Sequence, residues 1–401
     1  MADLKHMPHR ETLTPRERML KALNHEVPDR VPIDLGGNQS GIHKNAYLAL
    51  TRRLGLPEDA PIMDAVQQLA RPSESVLERF HVDTRYIAAG PAASWKGGIV
   101  QVERDGQPGR RGRLWHDLTD EWGVRWSMPD DQGLYMDITH HPLAGASIKD
   151  LADYPWPKGD DPSRFAGLRE RALELRKNTP YAVVSGISGG VYETCWYLRG
   201  LEQWFIDLKT DPAFCAALLD KTLRFWLDWF RLFLKEAGDV VDVIMIGDDL
   251  GGQSGPLFDP AIYRDLVKPR HERLVWHIRE GTKAKIWYHT CGSCLAVIPD
   301  LIDNGIHILN PDQTTARGMD PADLKRRFGH ELVFWGGGCD AQHILPRGTP
   351  AEVAENVRRN LEAFKPGGGY VFANVHNIQG EVPPENIEAL FDAAYKFGFY
   401  D

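Results

Sequence analysis

The sequence predicts an α/β chain folded as a (β/α)8 TIM barrel with a β-rich insertion. Three observations lead there. From about residue 181 onward, short apolar runs alternate with amphipathic helical stretches, the pattern of a parallel sheet. Eight such runs can be counted over the chain, at 31–35, 84–88, 181–186, 240–246, 284–288, 306–310, 332–336 and 370–374. Polar residues then fall at the ends of these runs: Asp34, Asp248 and Asp249, His289 and Cys291, Asn310 and Asp312, Cys339 and Asp340, Asn374, His376 and Asn377. In a barrel the chemistry gathers at the C-terminal strand ends. A doubly wound sheet is the other parallel arrangement; no Gly-x-Gly-x-x-Gly or phosphate loop follows a strand, and the count of eight favours the barrel.

Taken in order, the chain reads as one domain, 1–401, with an N-terminal helical extension at about 12–80 and a β insertion at about 82–140. Residues 1–11 are polar and expected to be loose. Thr14, Pro15 and Glu17 give a capping box that opens the first helix, whose apolar face is Met19, Leu20 and Leu23. A turn and the run 31–35 follow, and helical patterns cover 43–54 and 61–80. Between 82 and 140 short alternating runs are separated by Gly- and Asp-rich turns, with Trp115, Trp122 and Trp126 among them. The run 84–88 fits either this insertion or the barrel. Helices are expected at 163–177, 191–208, 212–236, 260–280, 295–303, 321–327, 350–364 and 384–396.

Composition narrows the function. The 401 residues are 42% hydrophobic and 26% charged, with a formal net charge of -9 that disfavours nucleic acid as a partner. No apolar run reaches the roughly 20 residues of a membrane span, and the first residues lack an apolar signal core. Five cysteines are too few for a disulfide framework in so long a chain. A reducing cytoplasm is expected, where thiols serve more often as metal ligands or catalytic groups. Twelve tryptophans suit an organic-ligand pocket and a large core equally.

The stretch Ile286-Trp287-Tyr288-His289-Thr290-Cys291 carries the sharpest chemical signal. Side chains two apart on a strand point the same way, so His289 and Cys291 converge just past the strand end. An imidazole and a thiolate are two of the three protein ligands of a catalytic zinc. Cys294, three residues on, reads as a packed residue in the first turn of the next helix. Asp248 and Asp249 are candidate catalytic carboxylates; the alternative is that Asp249 caps a turn and Asp248 pairs with an arginine such as Arg199. Candidate substrate-binding residues are Asp34, Tyr192, Glu193, Gln253 and Asn310. Tyr192, Glu193 and Trp196 follow the glycine-rich loop Gly186-Ile187-Ser188-Gly189-Gly190. His43, His140 and His141 are expected on the surface or in loops.

Several of these stretches together resemble the uroporphyrinogen decarboxylase superfamily. They are Thr14-Pro15-Arg16-Glu17-Arg18 through Pro28-Asp29-Arg30-Val31-Pro32, His289-Thr290-Cys291-Gly292-Ser293, Asn310-Pro311, Gly336-Gly337-Gly338-Cys339-Asp340 and His376-Asn377-Ile378-Gln379. The resemblance implies a (β/α)8 barrel. Decarboxylases of that superfamily hold porphyrin carboxylates with an Arg-rich N-terminal stretch. The corresponding Asp34-Leu35-Gly36-Gly37-Asn38-Gln39-Ser40 has no arginine. The resemblance therefore points to the corrinoid-dependent methyltransferase branch. It implies zinc held by His289, Cys291 and either Cys339 or His376, a cobalamin (corrinoid) on a separate partner protein, a small methylated substrate, and a possible homodimer.

Overall fold

The computed structural model describes residues 11–106, 112–187 and 189–400. The expected loose segment at 1–11 lies outside them except for Glu11, as does Ser188. In chain order the strands are β1 (Ile42–His43), β2 (Ile62–Asp64), β3 (Leu69–Ala70), β4 (Thr84–Tyr86), β5 (Val100–Arg104), β6 (Arg113–Thr119) and β7 (Arg125–Pro129). They continue with β8 (Asp137–His140), β9 (Ala182–Gly186), β10 (Val243–Gly247), β11 (Lys285–His289), β12 (Ile308–Asn310), β13 (Val333–Trp335) and β14 (Tyr370–Val371).

Seven of these make one sheet in the order β14-β13-β12-β11-β10-β9-β4, all neighbours parallel. The segment 31–34 supplies the eighth stave between β14 and β4. Phe372 N donates to Pro32 O, Asp34 N to Phe372 O and Asp83 N to Ile33 O, each at 2.8 Å. Pro32 has no amide to give, which limits this stave to isolated bridges. β4 thus belongs to the barrel. The insertion proper is the antiparallel sheet β5-β6-β7-β8.

Alternation along the strands sorts the core into two layers. Val243, Met245, Trp287, Ile308, Val333, Trp335 and Val371 fill the barrel interior, with Met19, Ala22 and Leu23 of the first helix plugging its floor. Trp287 and Trp335 stack there at 4.4 Å between ring centroids. Ile244, Ile246, Ile286, Tyr288, Leu309 and Phe334 face outward onto the helices. The floor also holds a buried ion cluster: Asp83 accepts from Arg18 and Arg30 at 2.7 Å each, and Asp29 from Arg18 at 2.7 Å.

Five expected helices differ, and that at 163–177 is a 3-10 turn, Pro162–Phe165, followed by a helix, Leu168–Asn178. The 61–80 pattern yields β2, β3 and only a short helix, Glu74–Arg79. Asp64 turns the chain by accepting the amides of Val66 and Gln67, both at 2.9 Å, and Pro61 and Pro72 bracket the segment. The 191–208 helix breaks into Val191–Arg199 and Leu201–Thr210 at Gly200, whose φ of 91° no helix accommodates. A π turn at Tyr263–Val267 precedes the helix Lys268–Glu280. The 295–303 helix starts only at Ile298, so Cys294 is buried in a loop and not in a helical turn. No helix among the described residues is long and apolar enough to cross a membrane.

Candidate metal centre

His289 is the last residue of β11 and points into the barrel with Trp287, as the alternation requires. Its Nδ1 lies 2.5 Å from Asn310 Oδ1, and Asn310 Nδ2 donates to Trp335 O at 2.6 Å. The Trp335 carbonyl fixes which end of the Asn310 amide faces the ring. His289 therefore donates through Nδ1–H, and its Nε2 carries the free lone pair. That Nε2 stands 3.4 Å from Cys291 Sγ. Zinc–nitrogen and zinc–sulfur bonds at a tetrahedral angle set such a pair about 3.5 Å apart.

The loop behind Cys291 is held against the loop after β10 by backbone contact. A Cβ on Gly251 would lie 2.7 Å from Cys291 O, and one on Gly292 (φ 76°) would lie 2.5 Å from Gly251. Only glycines let the two chains approach this closely. Leu250 N donates to Thr290 Oγ1 at 2.9 Å, Cys291 N to Asp249 Oδ1 at 2.6 Å, and Ser293 N to Gly252 O at 2.7 Å.

His376 arrives from the loop after β14 with left-handed backbone (φ 58°), a strained state for a non-glycine residue that tends to persist where the surroundings fix it. Asn377 supplies that fixation, accepting from Gly41 N at 2.6 Å and donating to Asn38 O at 2.9 Å and Gln67 Oε1 at 2.8 Å. The ligand atoms of His289, Cys291 and His376 all lie within 4.8 Å of one another. Burial pushes the imidazole of His289 down to about 4 and that of His376 down to about 3, the latter also repelled by His289. Both are neutral near pH 7, the form that ligates. Burial, with the charges of Asp249 and Glu193, pushes the Cys291 thiol well up. Two neutral imidazoles and a thiol beside two carboxyls form a donor set that fits a divalent zinc ion.

Asp249 edges this cluster, its Oδ1 3.8 Å from His289 Nε2 and its side chain 34% exposed. Burial raises its carboxyl. Glu193, hydrogen-bonded by Tyr197, is raised well above the usual carboxylate range by burial and then by the charges of Asp249 and Asp248. The two raised carboxyls thus stand together beside the three ligands.

The other sequence candidates do not join the three-ligand group. Asp248 follows the outward parity of Ile244 and Ile246. Its Oδ1 takes the amides of Tyr192 (3.0 Å) and Glu193 (2.6 Å), and its Oδ2 lies 2.8 Å from His271 Nε2. It caps the helix that carries Glu193, and its side-chain partner is His271; Arg199 pairs with Asp207 instead. Tyr192 is buried, stacked on Phe258 at 4.9 Å. Asp34 is enclosed by Thr84, Tyr86 (2.9 Å) and Trp335 Nε1 (2.9 Å), with its carboxyl raised by burial. Gln253 sits on the exposed rim, accepting from Gln313 at 2.9 Å and donating to Thr315 O at 2.8 Å. Cys339 is fully buried, its thiol pushed up to about 12 by burial and by Asp340, and it does not join the three-ligand group. His43 is also buried, capping the helix Lys44–Leu54 and meeting Leu134 O at 2.9 Å. Tyr197 and His271 escaped the sequence reading. Tyr197 carried a signal, being four residues beyond Glu193 on one helical face; His271 carried none.

The family model described as Uroporphyrinogen decarboxylase (URO-D) matches residues 119–397. A uroporphyrinogen decarboxylase of Citrobacter koseri is 27% identical over 286 residues, 67% of this chain and 76% of that protein. One from Psychromonas ingrahamii is 28% identical over 256 residues, 60% and 66% respectively. Among solved structures, a methyltransferase from Methanosarcina mazei superposes with a TM-score of 0.61 at 19% identity, covering 96% of this chain and 99% of that one.

Proposed function

The chain belongs to the uroporphyrinogen decarboxylase family, and from that premise we propose that it is a methyltransferase. It moves a methyl group from a small O- or N-methylated compound to the corrinoid of a separate protein. The observation that carries this reading is the group His289, Cys291 and His376, whose ligand atoms lie within 4.8 Å of one another. These three would hold zinc, which when bound supplies a Lewis acid for the heteroatom that loses its methyl.

The chain's own residues do the rest. Asn310 keeps His289 Nε2 free, and Asp249 fixes the Cys291 loop through the 2.6 Å amide bond. The cobalt(I) electron pair of the partner's corrinoid forms the new carbon–cobalt bond. The electrons of the broken carbon–heteroatom bond stay on the heteroatom, which takes its proton by way of the Glu193–Asp249 pair. Positioning and electrostatic stabilisation are what such a site contributes. The M. mazei methyltransferase shares this fold over nearly its whole length.

A second reading, a decarboxylase or lyase, is favoured by the names of the curated relatives. The Asp34–Ser40 stretch has no arginine to meet a polycarboxylate, which weighs against it. The deciding experiment incubates the zinc-loaded protein with reduced cobalamin or its cognate corrinoid protein and a panel of methylated compounds. Methylcobalamin absorbance supports methyl transfer. Carbon dioxide release from a carboxylated substrate, with no methylation of the cognate corrinoid protein, overturns it.

A further inference from the structure

The helix Lys268–Glu280 lies on the barrel's outer flank and buries one face, with His271, Leu274, Val275 and Ile278, against the strands and the helix Pro212–Ala237. Trp276 stands on its opposite ridge. It is 61% exposed, the most exposed large hydrophobic side chain among the described residues. Tryptophan is concentrated where protein surfaces meet and is a frequent centre of their binding energy. Two hollows flank the ridge. One, of about 560 Å³, runs between this helix and Pro212–Ala237. The other, of about 330 Å³, runs toward Asp303 and Asn304, at the end of the helix Ile298–Asp303.

The two hollows carry opposite charge. The first holds Arg224, Arg231 and Arg273 against Asp228 and Glu280. The second holds Glu272, Glu280 and Asp303 against Arg279. Some of these groups are already answered: Arg224 by Asp228 at 2.8 Å, Arg231 loosely by Asp160 at 3.8 Å, and Asp303 by Lys268 at 3.3 Å. Arg273, Glu272, Arg279 and Glu280 form no ion pair among the described residues, and all four are exposed. The face is therefore basic on one side of a tryptophan ridge and acidic on the other, which makes it complementary to itself. A two-fold axis running along the helix over Trp276 sets the basic hollow of each copy opposite the acidic hollow of the other. An axis across the helix would set like against like, which is costly.

We propose that this flank is the contact between two copies of the chain. The two Trp276 side chains meet at the two-fold axis, and Arg273 of each copy faces the acidic hollow of the other. The helix ends at Glu280, just before β11 begins at Lys285, and the metal-ligand group lies at the far end of that strand. The contact thus leaves the mouth of each barrel open. The inference is independent of the methyl-transfer reading.

The test is sedimentation velocity on the full chain at micromolar concentration, with circular dichroism to check that each variant is folded. Wild type is expected to sediment as a dimer and Trp276→Ala as a monomer. The dissociation constant should rise about 100-fold or more, because two-fold symmetry removes a hot-spot residue twice. Arg273→Glu alone and Glu272→Lys alone each set like charges across both halves of the contact, and each should be monomeric. Mixed together, the two variants should dimerise again: one half then joins the two altered hollows with opposite charge, and the other half keeps its native charges. A monomeric wild type overturns the inference and leaves the face to a different protein. A dimer that Trp276→Ala does not weaken has its contact elsewhere and overturns it too. Charge variants that remain apart when mixed would sink the two-fold arrangement.

Discussion

The side-chain carbonyl of Asn310 lies 2.5 Å from Nδ1 of His289, and its amide nitrogen is spent on Trp335 O. One residue thereby decides which imidazole nitrogen is free. Asn310→Leu keeps the volume and removes the acceptor, leaving the His289 ring free to take either tautomer. Zinc affinity, measured by chelator competition, should fall about 10- to 100-fold, as expected when the outer partner of a ligating histidine is lost. An unchanged affinity would mean that His289 is no ligand.

The three-ligand group makes a second prediction. Elemental analysis of the wild type should give about one zinc per chain, the stoichiometry of a single catalytic site. Cys291→Ala should lose most of it, while Cys339→Ala should retain it, because Cys339 is buried away from the group. Full metal in Cys291→Ala would place the ion elsewhere.

Much of this was legible in the sequence, for reasons the structure makes plain. Strand-helix alternation with polar run ends is a local signal, and it located every barrel strand and the His289–Cys291 pair. The same period-two rule separates Asp249 from Asp248: with Gly247 facing in, Asp249 follows it inward and Asp248 turns outward. His376 against Cys339 was not decidable, because it depends on a left-handed turn fixed by Asn377 contacts to Gly41, Asn38 and Gln67, more than 300 residues away in sequence. The helical pattern at 61–80 failed because Asp64 captures its own downstream amides.

The floor cluster predicts acid sensitivity. Asp29 lies against burial, which raises its carboxyl, but bonds from Arg18 and from the Leu13 and Thr12 amides prevail and lower it to about 2. A depressed carboxylate contributes stability that is complete above its unfolded pKa, about 3.9, and is lost as pH falls toward 2. Urea unfolding of wild type and Asp29→Asn should differ at pH 6 and converge near pH 2. A gap that persists at pH 2 would assign the loss to packing. Asp83→Asn, which leaves Arg18 and Arg30 without their fully buried shared partner, should cost about 3–5 kcal/mol at neutral pH.

Asp248 and Asp249 are neighbours that the fold puts to opposite uses, and their amide variants should separate accordingly. Asp248 is 2% exposed and spends both oxygens on protein groups, the start of helix Val191–Arg199 and His271. Asp248→Asn can still accept the two amides through its oxygen but loses the charge that His271 faces. The expected cost is about 1.5–3 kcal/mol of stability, the range of a hydrogen bond to a charged group. Activity should fall as well, since Glu193 rides on the helix that Asp248 anchors. Asp249 is partly exposed beside His289 and takes one backbone amide, from Cys291. Asp249→Asn keeps an acceptor for that amide, so its melting temperature should stay within about 1 °C of wild type, a shift of less than about 1 kcal/mol for a chain of 401 residues. Its methyl transfer should drop by about 100-fold or more, the size of a lost proton-handling group. Melting curves and single-turnover methylation of the corrinoid protein read the two effects apart. If Asp249→Asn turns over like wild type, the Glu193–Asp249 pair is not the proton source; if Asp248→Asn melts like wild type, His271 is not its partner in solution.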